Sequence, residues 1–160
     1  SDTFEPRSLK EEIEFIRNYV EIQQIRYGKE AFSFEVIMED TVGTYLVPTL
    51  IIHNFVENAI THAVSLDNHV EITLYIVNEN YEDGEYLYIC ISDTGTGFPP
   101  DILDAIEQDT PIYYNDRKHI GIQNSLKRLK LIYGEKAKIT FSNMDEGYGA
   151  VVEITIPVQH

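Results

Sequence analysis

The sequence predicts an α+β fold: a two-layer α/β sandwich with helices on one face of a mixed, mostly antiparallel sheet. Three observations lead there. Strand-like segments fall mostly in adjacent pairs, at 70–92 and 137–157, joined by short turns. Helix-like segments with one apolar face lie between those pairs. Strand and helix do not alternate strictly, as a doubly wound fold would require.

Each element has its own local reason. Ser8-Leu9-Lys10-Glu11 has the form of a capping box. Leu9, Ile13, Ile16, Val20 and Tyr27 then recur at helical spacing, which predicts a helix over 9–27 with Gly28 at its end. The apolar residues Leu9, Ile13, Ile16 and Val20 would face either a partner helix in a dimer or this domain's own sheet. Phe32 and Phe34, with Val36 or Ile37, alternate with Ser33, Glu35 and Glu39, so 31–39 reads as a strand. Pro48 suits a first helical position, which predicts a helix over 49–64. Its core residues would be Leu50, Ile52, Phe55, Val56, Ala59, Ile60, Ala63 and Val64. His53 reads as a helix-surface or core residue. Val70, Ile72, Leu74 and Ile76 alternate through a strand over 70–78, a turn follows at 80–84, and 86–92 returns as its hairpin partner. A Gly/Pro-rich loop at 93–100 leads to a short helix at 101–106 and a weakly patterned loop at 108–118. Ile122, Leu126, Leu129 and Ile132 define a helix over 121–133. Strands at 137–142 and 150–157, joined by a Gly-containing turn, close the chain.

Composition narrows the function. The 160 residues hold 27 Asp+Glu against 12 Lys+Arg, a net charge of −15, with 43% hydrophobic residues. Such a chain buries a real core. Its acidity argues against nucleic acid, which calls for a basic face, and against anionic lipid. One cysteine, Cys90, excludes an internal disulfide framework and a thiolate zinc site. There is no apolar run of the ~20 residues a membrane span needs and no signal peptide, so a soluble, cytoplasmic piece is expected. The charge is uneven. Residues 30–116 contain 17 acids and no Lys or Arg, whereas 117–138 contain seven bases and one acid, Glu135. An anionic ligand would find its cations in that late segment, in a metal ion or in backbone N–H groups.

Three places carry chemistry. Asn54, Asn58 and His62 recur every four residues and form one polar stripe on the 49–64 helix. Asparagine is a poor helix former, but its amide oxygen is a neutral hard ligand suited to Mg²⁺ that keeps waters and phosphate oxygens; a solvated helix face is the other reading. Asp93-Thr94-Gly95-Thr96-Gly97 follows an apolar strand. There a carboxylate can accept from an exocyclic amine while glycines let backbone approach a flat ring; an ordinary turn is the alternative. Gly121-Ile122-Gln123-Asn124 starts a helix just after Arg117, Lys118 and His119, and a helix N-terminus with nearby positive charge favours phosphate. Together and in this order the three describe a nucleotide pocket. No P-loop and no dinucleotide-binding glycine motif is present.

On these residues the chain resembles the ATP-binding catalytic domain of bacterial sensor histidine kinases, within the GHKL superfamily shared with gyrase and the large heat-shock chaperone. It looks most like the LytS/YesM-like group. Tyr19-Val20-Glu21-Ile22-Gln23-Gln24-Ile25-Arg26-Tyr27 resembles the helix leading into that group's catalytic domain. Val56-Glu57-Asn58-Ala59-Ile60-Thr61-His62 resembles its N box, and Gly121-Ile122-Gln123-Asn124-Ser125-Leu126-Lys127-Arg128-Leu129 its final glycine box. The resemblance implies a Bergerat-type ATPase fold that binds ATP and Mg²⁺. It implies Asn58 as the Mg²⁺ ligand, flanked by Asn54 and His62. Asp93 would bind the adenine amine, with Gly95 and Gly97 shaping that pocket, and 98–120 would be an ATP lid. Gly121, Ile122 and Asn124 would open the helix that approaches the phosphates, with Arg117 and Lys118 beside it. Glu57 would polarise the acceptor histidine or serve as a surface carboxylate.

Thr61, Thr94 and His119 depart from the Lys, Asn and Gly common in the group, which places more of the phosphate binding on Mg²⁺, Arg117 and Lys118. The resemblance also implies a division into 1–30, the end of a dimerisation or linker helix, and 31–160, the catalytic domain. The phospho-accepting histidine would lie upstream of Leu9, so this piece alone is not expected to autophosphorylate. The expected partners are the histidine-bearing helix of a homodimeric parent and a response regulator, and the expected location is the cytoplasmic part of an integral membrane sensor. An anti-sigma serine kinase, or a degenerate partner-binding module with weak nucleotide affinity, remains the alternative.

Overall fold

The computed structural model describes residues 5–109, 113–114, 117–118, 120–144 and 148–159. Strand β1 (Pro6–Ser8) runs into helix α1 (Leu9–Tyr27). Strand β2 (Phe32–Met38) follows, then β3 (Leu46–Pro48), α2 (Ile51–Ala63), β4 (Val70–Tyr81) and β5 (Gly84–Asp93). After α3 (Pro100–Glu107) come the two-residue strands β6 (Tyr113–Tyr114) and β7 (Arg117–Lys118), then α4 (Ile120–Tyr133), β8 (Lys138–Asn143) and β9 (Ala150–Pro157).

Five strands form the main sheet in the order β2-β4-β5-β9-β8. Only β2 and β4 pair in parallel, with Phe32 opposite Val70 and Met38 opposite Ile76; the other three pairings are antiparallel. This is the mixed, mostly antiparallel sheet that the paired strand segments predict. One face of it is apolar. Ile72, Leu74 and Ile76 of β4, Leu87, Ile89 and Ile91 of β5, and Val152, Ile154 and Ile156 of β9 are buried with the inner stripes of the helices. The alternate positions Glu71 and Tyr75 are exposed, so the strand period of two separates core from solvent.

The capping box at the start of α1 is complete. The Glu11 N–H donates to Ser8 Oγ at 3.2 Å, and the Ser8 N–H donates to Glu11 Oε1 at 3.3 Å. Gly28 ends the helix at φ 96° and donates its N–H to the Gln24 carbonyl. Leu9, Ile13, Ile16 and Val20 join the core of this domain, while Phe15, Ile22 and Ile25 on the other side of α1 are exposed. Among the described residues no helix is long and apolar enough to cross a membrane.

The structure corrects several local expectations. Pro48 ends β3, which pairs antiparallel with β1 through Pro6–Pro48, Arg7–Val47 and Ser8–Leu46; α2 begins at Ile51. The β1–β3 pair joins segments about forty residues apart, and three-residue strands leave no periodicity to read. The β4–β5 hairpin is tighter than the sequence suggests, because Tyr81 pairs with Gly84 and only Glu82 and Asp83 lie between. His53 takes the core one of its two readings and is not corrected: it is buried, in T-shaped contact with the rings of Phe15 (5.0 Å) and Tyr19 (4.8 Å). Within the segment expected as a loop, β6 and β7 pair; residues 110–112, 115–116 and 119 lie outside the described residues.

Candidate functional site

A cleft opens between α2, the end of β5 and the start of α4. Its walls include Asn58, Ala59, His62 and Ala63 of α2, Ile91 and Asp93 of β5, Phe98 and Ile102 after it, Ile122 of α4, and Ala150 and Val152 of β9. Of the residues picked from the sequence, Asn58, His62, Asp93, Gly97 and Ile122 meet there. The lining is mostly apolar, with Asn58, His62 and Asp93 as its polar side chains, and no Lys or Arg is among its described lining residues.

Asn58 is the first of these. Its Oδ1 is buried and has no hydrogen-bond partner among the described residues. A buried acceptor without a partner is costly, and an amide oxygen held this way fits a hard cation. No cluster of three His, Cys, Asp or Glu side chains is arranged for a metal among the described residues. Asn54 lies one turn earlier on the same stripe and is partly buried. Glu57 is exposed, 3.7 Å from His53 Nδ1.

Asp93 also lines the cleft, with 4% of its surface exposed. Its Oδ1 accepts the N–H groups of Gly95 (2.9 Å) and Ala150 (3.3 Å), and no described residue hydrogen-bonds Oδ2. Burial pushes the Asp93 carboxyl above the usual aspartate value, and those two N–H groups partly counter it. One oxygen is thus fixed by backbone and the other is free to accept from a donor in the cleft.

The glycines around Asp93 are there for space. A Cβ on Gly95 would lie 2.8 Å from Ala63 Cβ, so Gly95 lets the loop lie against α2. Gly97 adopts φ +84°, and a Cβ there would meet Asn143 Oδ1 at 2.7 Å. Thr94 extends the β4 edge: its Oγ1 accepts the Glu71 N–H at 2.8 Å, and its own N–H donates to the Glu71 carbonyl at 3.1 Å.

Three residues that sequence reasoning missed complete this corner. Asn143 clamps Phe98, accepting its N–H at 2.7 Å and donating to its carbonyl at 3.0 Å. Gly149 donates its N–H to the Gly95 carbonyl at 2.7 Å, and Ala150 donates to Asp93. The Gly-containing turn before β9 was visible in the sequence; that it folds onto the Asp93 loop was not.

At the other side, α4 begins at Ile120, one residue before the expected start. Ile122 is buried with Ile102 in a small separate core that Phe98 and Leu126 pack against. Gly121 and Asn124 are exposed, and neither is among the lining residues. The backbone of Arg117 and Lys118 forms β7; their side chains, like the whole of His119, lie outside the described residues.

Among curated proteins, the chain is 28% identical over 153 residues to the sensor protein LytS of Streptococcus mutans, covering 92% of this chain and 24% of that protein. It is 30% identical over 128 residues to the sensor histidine kinase YpdA of Escherichia coli, covering 79% of this chain and 21% of that protein. The chain thus spans about a quarter of these relatives or less. Its fold matches the catalytic domain of the histidine kinase ThkA with a TM-score of 0.68 at 17% identity, covering 96% of this chain and 95% of that one. It also matches the histidine kinase domain of a blue-light activated kinase of Erythrobacter litoralis, with a TM-score of 0.62 at 20% identity over 99% of this chain and 69% of that one. The shared architecture is the α+β histidine kinase catalytic-domain fold. Residues 45–160 match the histidine kinase-, DNA gyrase B- and HSP90-like ATPases, and the chain belongs to that family.

Proposed function

We propose that this chain is the Mg·ATP-binding catalytic domain of a sensor histidine kinase of the LytS/YesM-like group. It would deliver the γ-phosphoryl group of ATP to a histidine on a dimerisation helix of a longer parent, for onward transfer to an aspartate of a response regulator. The observation that carries this reading is that one mostly apolar cleft is lined by both Asn58, whose buried Oδ1 has no partner among the described residues, and Asp93, whose Oδ2 no described residue hydrogen-bonds. A nucleotide has the matching chemistry, a flat ring with an exocyclic donor at one end and a metal-bound polyphosphate at the other.

In this reading Asp93 accepts from the adenine amine, and the apolar walls with Gly95 and Gly97 admit the ring. Asn58, flanked by Asn54 and His62, holds Mg²⁺. Bound there, Mg²⁺ supplies neutralisation of phosphate charge. The first turn of α4, with Gly121, Ile122 and Asn124, offers backbone N–H groups to the phosphates, and Arg117 and Lys118 supply cations. Glu57 polarises the acceptor histidine. The γ-phosphorus then forms a bond to the histidine nitrogen as the bond to the bridging oxygen breaks and ADP leaves. Residues 1–30 form the end of the linker from the dimerisation helix, and 31–160 the ATP-binding domain. The exposed apolar stripe of Phe15, Ile22 and Ile25 suits a neighbouring helix. The cytoplasmic side of a membrane sensor is the location that follows.

Calorimetry with a non-hydrolysable ATP analogue tests the reading. Binding is expected to need Mg²⁺ and to weaken about tenfold or more in Asn58→Ala and in Asp93→Ala, since each removes a hydrogen bond or contact to a charged group. Unchanged affinity in both variants would refute the site. Phosphotransfer to a histidine-bearing helix, and not to a serine-bearing protein, is the expected outcome of the second assay.

A further inference from the structure

Glu12 sits on the buried side of α1 with 0% exposure, an acid inside an apolar stripe. Burying a carboxylate is costly unless its oxygens are filled. Oε1 accepts from Arg7 Nε at 2.7 Å and from the Leu50 N–H at 3.0 Å. Oε2 accepts the N–H groups of Ile52 at 3.2 Å and His53 at 3.1 Å. Those three amides are the start of α2. A helix leaves its first N–H groups without partners, and α2 has no side-chain cap of its own, because Leu50 stands at its N-cap in a left-handed conformation, φ 68° and ψ 4°. Such a conformation is unfavourable for leucine and persists where its surroundings hold it. Here a carboxylate from another helix does so, and the positive end of α2 favours the negative charge.

The joint reaches the other wall of the cleft as well. Arg128 of α4 donates to the carbonyl of Thr49, next to Leu50, and burial lowers its pKa while the charge of Glu12 raises it. Thus α4, which carries Ile122, is fastened beside the N-cap of α2, the same place at which Glu12 of α1 holds the helix that carries Asn58.

We propose that Glu12 is a positioning residue of the nucleotide site: it caps α2 from α1 and fixes the axial position of the helix that bears Asn58. The inference rests on the nucleotide-binding reading and names the α1 residue on which that site depends. Glu12→Gln keeps the shape but presents a donor where donors converge. The first turn of α2 must then shift to recover partners, and Asn58 shifts with it.

The test compares Glu12→Gln with Ser8→Ala, which weakens the cap of α1 without touching α2. Each is measured for urea stability and, well below its unfolding transition, for affinity toward a Mg²⁺-bound non-hydrolysable ATP analogue. Both variants lose stability, but only Glu12→Gln loses affinity, by about tenfold, the scale of coupling between linked sites. Equal affinities in Glu12→Gln and the unsubstituted chain would overturn the proposal. A second measurement needs no variant. In ¹⁵N-labelled protein the amide signals of Leu50, Ile52 and His53 shift when the analogue saturates the cleft, and their constancy would overturn it too. Absence of any binding by the unsubstituted chain would instead refute the nucleotide reading, and this inference with it.

Discussion

Replacing Gly149 with alanine tests how the Asp93 corner is built. Gly149 adopts φ +79°, donates its N–H to the Gly95 carbonyl at 2.7 Å and accepts the Met144 N–H at 3.1 Å. A Cβ at this position would lie 2.0 Å from the Asp93 carbonyl oxygen and 3.2 Å from its carbonyl carbon. Contacts under 3.0 Å do not persist, so the turn before β9 must part from the end of β5. The obstacle is backbone, which cannot rotate aside as a side chain would. A forced shift of this kind costs about 1–3 kcal/mol, and an L side chain in a left-handed conformation costs about 1–2 kcal/mol. The expected loss is roughly 2–5 kcal/mol, a large part of the ~5–15 kcal/mol of a typical domain. Urea unfolding followed by circular dichroism measures it. Because Gly95 and Ala150 hold Asp93 Oδ1 from either side of the same contact, calorimetry on the folded variant should also show weaker binding of the ATP analogue. Gly121→Ala is the contrast. Nothing lies within 4 Å of its Cβ position, so the helix gains about 0.5–1 kcal/mol. A Gly149→Ala protein within about 0.5 kcal/mol of the original, the range of an ordinary surface change, would refute the steric argument.

Further outcomes follow from the same cleft. Asp93→Asn keeps an oxygen for the Gly95 and Ala150 N–H groups but loses the charge. Burial raises the pKa of Asp93, so its contribution to stability is fullest below the ordinary aspartate value and declines as pH rises through the raised one. Urea midpoints should therefore shift in favour of Asn as pH is taken from about 4 to 7, while affinity for the analogue falls; a pH-independent difference would refute the assignment. Asn58→Ala removes a buried acceptor that has no partner among the described residues, so thermal unfolding should show little or no loss of stability even as Mg²⁺-dependent binding drops. Asn143→Ala removes both hydrogen bonds to the Phe98 backbone; a loss of about 1–3 kcal/mol is expected in urea, with weaker analogue binding because Phe98 lines the cleft.

Much of the layout could be read from local pattern. Ser8 and Glu11 announce the start of α1 because both halves of a capping box lie within four residues. The alternation of Val70, Ile72, Leu74 and Ile76 announces β4 and its buried face. Asn58 and His62 share a stripe because helical geometry places residues four apart on one face, and Asp93 closes an apolar strand in plain view. The corrections fall where the cause is distant in sequence. Pro48 reads as a helix start, yet β1 recruits it into a strand from the other side of α1. Leu50 reads as ordinary core, yet Glu12 draws its N–H and sets the true beginning of α2.

The amino-acid sequence by itself determined the fold class, the order of the elements and which polar residues interrupt apolar faces, because caps, turns and hydrophobic periods act over a few residues. Tertiary structure decided what those residues meet. The same stripe of Leu9, Ile13, Ile16 and Val20 fits a partner helix or this domain's sheet equally well on pattern, and only packing assigns it to the core of this domain. In the same way, only packing left Asn58 Oδ1 without a partner, brought Gly149 against Asp93 and filled the start of α2 with the carboxylate of Glu12. Hydrogen bonds and steric contacts depend on distance in space, and residues forty or more positions apart acquire that distance only when the sheet closes.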